Sequence, residues 1–117
     1  MDTNKPATTT THVRLLDTMG NEVASWEHNP RRCSFMHECG TRELEAAYRK
    51  HSKIDDGSIH FGTGKTDVEQ VDEHTFRTTG PVALGVSYQD DRGVWVLDRR
   101  TERTYTAIVT KTYPSRR

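Results

Sequence analysis

The chain has 117 residues, with 17 Lys and Arg against 17 Asp and Glu, and 32% of it is hydrophobic. That length accommodates one core of ordinary size, zero net charge argues against a polyanion binder defined by bulk charge, and no apolar run approaches the roughly eighteen residues of a membrane span. Leu, Ile, Val and Phe together number only 20, so the core is thin and a partner subunit, a metal or another chain is expected to supplement it.

Residues 1–10 contain Pro6 and a Thr-rich tract without apolar periodicity, and read as a flexible tail ahead of one domain over 11–117. No basic region followed by an apolar stretch opens the chain, so a cytoplasmic setting is expected, with Cys33 and Cys39 as reduced thiols.

Residues 11–17 and 22–28 alternate apolar and polar positions around Gly20 and Asn21, which predicts a hairpin anchored by Trp26. Residues 41–54 are the one predicted helix: Thr41 is placed to cap it, and Leu44, Ala47, Tyr48 and His51 recur at three- and four-residue steps. Glu45 and Arg49 stand in the favourable order for an ion pair on its outer face.

Beyond the helix the period becomes two, through 58–62, 67–71, 74–79, 82–88, 93–98 and 104–113. Gly80-Pro81, residues 90–93 and residues 101–103 read as turns between them, which makes the last three runs a meander. The last run opposes Tyr105, Ala107, Val109 and Tyr113 to a row of Thr interrupted by Ile108. The Thr face is expected to meet solvent or a partner. The fold class is α+β, one helix packed across a twisted or partly closed antiparallel sheet of six to eight strands.

Four groups of residues carry candidate chemistry. Gly64-Lys65-Thr66 matches the end of a phosphate-binding loop, but Ile59 stands where the first Gly is required and a strand-like run follows, so a Gly-containing turn is expected and no nucleotide. His28, Cys33, His37 and Cys39 offer zinc its preferred ligands but lack a Cys-x-x-Cys knuckle, which leaves a zinc-stabilised binding module as an alternative to a protein without cofactor. Cys39 also precedes the helix, a setting that lowers a thiol pKa, although no orienting group accompanies it. His51 with Arg49 and Lys53 suits acid/base cleavage of RNA, the reading of a small metal-independent RNase or toxin-like enzyme, against an ordinary histidine near a helix carboxyl end.

The fourth group weighs most. Arg92, Arg99, Arg100 and Arg103, with Arg116 and Arg117 beyond them, interleave with Trp95, Tyr105 and Tyr113, and such sets form protein hot spots or stack bases. Residues 55–73 carry net charge −5 and residues 92–117 net +5, so the molecule is polarised. With no complete catalytic constellation, the expected function is a non-enzymatic interaction or structural protein, a small component of a larger assembly or mobile element. A protein partner or self-association is expected, nucleic acid is the alternative partner, and no membrane is involved.

Overall fold

A computed structural model describes residues 9–28 and 39–114. The period-two runs become β1 (Thr10–Leu16), β2 (Glu22–His28), β3 (Ser58–Thr63), β4 (Asp67–Asp72), β5 (Thr75–Gln89) and β6 (Trp95–Thr112), and the helix, α1, spans Thr41–Ser52. The strands form one antiparallel sheet in the order β2-β1-β6-β5-β3, with β4 paired to β5 beside β3. This is the expected α+β class. The sheet is not closed, which corrects the partly closed alternative: β2 bounds one edge, and β3 and β4 bound the other in succession.

Six strands replace the eight predicted runs because two expected turns are absent. Residues 74–79 and 82–88 fuse in β5, and residues 93–98 and 104–113 fuse in β6. Gly80-Pro81 does not break β5 because of what stands beside it. Pro81 accepts the Gly64 amide at 3.4 Å, and a strand residue points its N–H and C=O to the same side. Its missing donor therefore faces the gap between β3 and β4, where no ladder bond is lost. That gap is the Gly64-Lys65-Thr66 segment, a bulge between two strands along one edge rather than a turn. A side chain at Gly64 would meet Pro81 at 2.7 Å and one at Gly80 would meet Thr66 at 2.6 Å, so both glycines serve close approach.

Alternate residues of the central strands face α1. Val13 and Leu15 of β1, Val82, Leu84 and Val86 of β5, and Tyr105, Ala107 and Val109 of β6 are buried with Leu44, Ala47 and Tyr48 of the helix. Trp26 donates its indole N–H to the Cys39 carbonyl at 2.7 Å, which ties β2 to the start of the helix. Gly40, with φ 84, occupies the cap position expected for Thr41, and no side chain caps the helix there. At the other end the helix stops at Ser52, two residues early. Lys53 takes the left-handed conformation and donates its amide to the Arg49 carbonyl. Arg49 pairs with Glu45 as expected and also donates to the carbonyls of Ile54, Asp56 and Gly57.

The opposite face of the sheet carries polar rows set by register. Glu27, His12, Thr110, Arg77 and Glu69 align across β2, β1, β6, β5 and β4, and Ser25, Arg14, Ile108, Thr79 and Asp67 form the next row. His12 meets Glu27 at 2.9 Å and Arg77 meets Glu69 at 3.4 Å, so polar pairs flank Thr110. No helix among the described residues is long and apolar enough to cross a membrane.

Candidate docking arm and the His51 groove

The β5–β6 hairpin extends beyond the rest of the sheet and contributes to a molecule 63 Å long and 28 Å wide. β1 pairs with β6 only as far as Thr106, so residues 95–103 of β6 pair with β5 alone and present a free strand edge among the described residues. The tip, residues 90–94, repeats the turn at residues 17–21. In each, an Asp side chain accepts two amides ahead of it, and a Gly with positive φ closes the loop. Asp17-x-x-Gly20 and Asp90-x-x-Gly93 are the sequence trace of that shared geometry.

Three consecutive large apolar residues follow the tip turn in solvent: Val94, Trp95 and Val96 are each at least half exposed. Pairing places Val96 opposite Tyr88 on the helix side of the hairpin and Trp95 opposite Gln89 on the other. The arm is thus apolar on both faces. Arg92 extends from the turn, 3.8 Å from Asp90.

The next arginines sit on a wide bulge. Leu84 pairs with Arg103 and Val86 with Asp98, so residues 99–102 stand opposite the single residue Gly85. Thr101 is buried in this bulge, where its hydroxyl accepts the Val86 amide at 2.9 Å and donates to the Asp98 carbonyl at 2.5 Å. Its own carbonyl accepts the Tyr48 hydroxyl at 2.7 Å, a direct bond from helix to bulge. The bulge presents Arg99 and Arg100 to solvent, each beside a carboxylate: Arg99 with Glu102 at 3.3 Å and Arg100 with Asp98 at 3.1 Å. The Arg100 guanidinium holds the Asp98 carboxyl below the usual range. Arg103 donates to the carbonyls of Arg100 and Glu102.

The predicted set is therefore divided. Arg92, Trp95, Arg99, Arg100 and Arg103 share the arm, whereas Tyr105 lies in the core beneath α1 and Tyr113 lies at the far end of β6 against Phe76. Residues 101–103, expected as a turn, are part of β6. Over residues 90–103 four arginines meet four carboxylates, which makes the arm neutral as a unit. Arg116 and Arg117 lie outside the described residues. No protein-family model, curated protein or solved structure matches the chain.

Of the zinc-type ligands, His28 ends β2 and Cys39 is buried beside Trp26, while Cys33 and His37 lie outside the described residues, as do residues 1–8 of the expected tail. Among the described residues no three His, Cys, Asp or Glu side chains converge as a metal site requires.

A second site lies where α1 meets the β1–β2 hairpin. A groove of about 540 Å³ is bounded by Lys50, His51 and Lys53 on one wall and by Asp17, Glu22 and Ser25 on the other. His51 and Lys53 are thus together, but Arg49 is engaged with Glu45 and the carbonyls of 54–57 and is not among the lining residues. In its place the structure supplies Tyr105, whose hydroxyl meets His51 Nδ1 at 2.9 Å. Burial pushes the Tyr105 hydroxyl up to about 12, so it keeps its proton. His51 Nδ1 is its one hydrogen-bond partner among the described residues, and the hydroxyl therefore donates to Nδ1. Neutral His51 then carries its hydrogen on Nε2. A general base acting from Nε2 needs a lone pair there, so the arrangement favours donation over proton abstraction.

The arm's apolar trio, the Thr101 plug and the Tyr105–His51 bond are absent from the sequence reading. The run Gly-Val-Trp-Val-Leu at residues 93–97 held the signal for the first, since four apolar residues in succession leave one face of a lone hairpin uncovered.

Proposed function

We propose that the protein is a non-enzymatic interaction or structural component, and that it docks through the β5–β6 arm onto a second copy of itself. The observation that carries the reading is the exposed Val94-Trp95-Val96 trio at the end of a strand edge without a partner strand among the described residues. Unpaired edges template further pairing, and natural edges are normally blunted by charge, Pro or cover. β4 follows that rule, with Asp67, Glu69 and Asp72 on an exposed strand. The run of residues 94–97 on the arm does not.

Charge supports a copy of the same chain over a polyanion. Four arginines and four carboxylates within the arm leave the arm itself no net charge with which to repel a like arm or to recruit nucleic acid. An antiparallel pairing of two β6 edges about a two-fold axis buries the same patch from both chains, the commonest closed symmetry of oligomers.

Hydrogen exchange tests this directly. Antiparallel alternation turns the Trp95 and Leu97 amides to the free edge, because the bonded pairs run from Asp90 and Val94 by twos. These two amides should become protected as protein concentration rises, while Tyr88 and Val96 amides, already paired within the hairpin, stay unchanged. Exchange at Trp95 and Leu97 that is independent of concentration contradicts self-docking.

A further inference from the structure

We infer that two copies dock with Val96 on the two-fold axis, so that Trp95 of each meets the partner's Leu97 and Asp91 at each arm tip meets the partner's Arg99. The register rests on self-docking through the arm and fixes which residues meet.

Backbone features bound the free edge at both ends. Gly93, with φ 80, closes the tip turn, and the bulge that begins at Arg99 interrupts regular pairing on the other side. Residues 94–98 remain between them, and their midpoint is Val96. The Trp95 and Leu97 amides face outward, so antiparallel bonding matches odd-numbered residues of one copy with odd-numbered residues of the other. An axis at Trp95 would set Leu97 against the partner's Gly93 in its turn. An axis at Leu97 would set Trp95 against the partner's Arg99 in its bulge. An axis at Val96 instead pairs the whole of 94–98 with itself. Trp95 and the partner's Leu97 then stand directly opposite, twice by symmetry, on one face, and Val96 meets the partner's Val96 on the helix side.

Charge along the arm favours the same arrangement independently. Residues 90–93 hold two Asp against Arg92, net −1, whereas residues 98–103 hold three Arg against Asp98 and Glu102, net +1. Antiparallel pairing therefore lays the acidic end of each arm beside the basic end of the other. With the axis at Val96, residues 99–101 of one copy run alongside residues 91–93 of its partner. At the tip, Asp90 is occupied by the amides of Arg92 and Val94, whereas Asp91 is exposed and makes no ion pair among the described residues. In the bulge, Arg100 is held by Asp98 through two nitrogens. Arg99 has one contact, to Glu102 at 3.3 Å, and its side chain is 81% exposed, which leaves its guanidinium donors for a second carboxylate.

Oxidative cross-linking of the full chain with a single cysteine introduced at 96 or 97 tests the register, each against wild type with Cys33 and Cys39 alone. Residues directly opposite in a non-bonded antiparallel pair have Cα atoms about 4.5 Å apart, within disulfide range. Leu97 and the partner's Leu97 would lie on a diagonal of about 7 to 8 Å, beyond it. Val96→Cys should therefore give a covalent dimer and Leu97→Cys should not. In sedimentation, Asp91→Arg and Arg99→Asp should each weaken self-association about threefold or more, as two symmetric exposed ion pairs would, and the two changes together should restore it. The inference is overturned if Val96→Cys gives no covalent dimer, if Leu97→Cys gives one in its place, or if the double variant associates no better than either single one. A mass that rises with concentration while Val96→Cys stays uncross-linked overturns the register and leaves self-docking standing; a mass that stays at one chain overturns both.

Discussion

The hydroxyl of Tyr48 donates to the carbonyl of Thr101 at 2.7 Å across 53 residues of sequence. Through this bond the helix grips the bulge that carries Arg99 and Arg100, and the arm beyond the bulge is aimed by it. Tyr48→Phe leaves the packing of the ring intact but orphans a buried carbonyl. It should destabilise the fold by about 1 to 3 kcal/mol in denaturant titration, and it should speed amide exchange at Val86, whose N–H bonds the Thr101 hydroxyl. Unchanged exchange there would show that the bulge holds itself without the helix.

Leu44 is fully buried between the helix and the sheet. Leu44→Ala should cost about 2 to 5 kcal/mol of stability, as core truncations of this kind do. A loss below about half a kcal/mol, the range of surface substitutions, would mean that α1 is peripheral to the core.

Tyr105 gives the fold a distinct response to alkali. Its hydroxyl rises from 10.0 to about 12 through burial, so the folded chain holds that proton more tightly than the unfolded chain. The contribution of Tyr105 is fully present below pH 10 and is lost as pH rises from about 10 to about 12, a change of roughly 2 to 3 kcal/mol at 1.4 kcal/mol per unit. Comparing the stability of wild type and Tyr105→Phe at pH 9 and pH 11.5 isolates this from other groups. The variant should lose less stability than wild type over that interval, and equal losses would place Tyr105 outside the core.

The sequence made the element types legible and left their continuity hidden. Alternation identified every strand run, and the three- and four-residue spacing of Leu44, Ala47 and Tyr48 identified the helix face. Gly80-Pro81 reads as a turn in one dimension because its tolerance depends on a gap in the neighbouring edge, which only pairing reveals. Thr101 reads as a turn residue for the same reason, since its polar atoms are satisfied by Val86 and Asp98 within a bulge. The alternation of Tyr105, Ala107 and Val109 against the Thr row already puts Tyr105 on the core face, and its grouping with the arginines fails because the bulge at 99–102 shifts the register between them. His51 was legible as a helix-face histidine, but its partner lies 54 residues away.

Sedimentation equilibrium of the wild-type chain and of a Trp95→Asp, Val96→Lys variant measures the central claim. Both substituted residues are more than half exposed, so the variant should keep its unfolding midpoint within about 0.5 kcal/mol equivalent. Docking through the arm predicts that the wild-type mass rises with concentration from 13.4 kDa toward twice that value, and that the folded variant stays at the single-chain mass throughout. A wild-type mass that stays at one chain up to about 0.1 mM, a concentration well above that of functional micromolar dimers, or a variant that associates as wild type does, contradicts it.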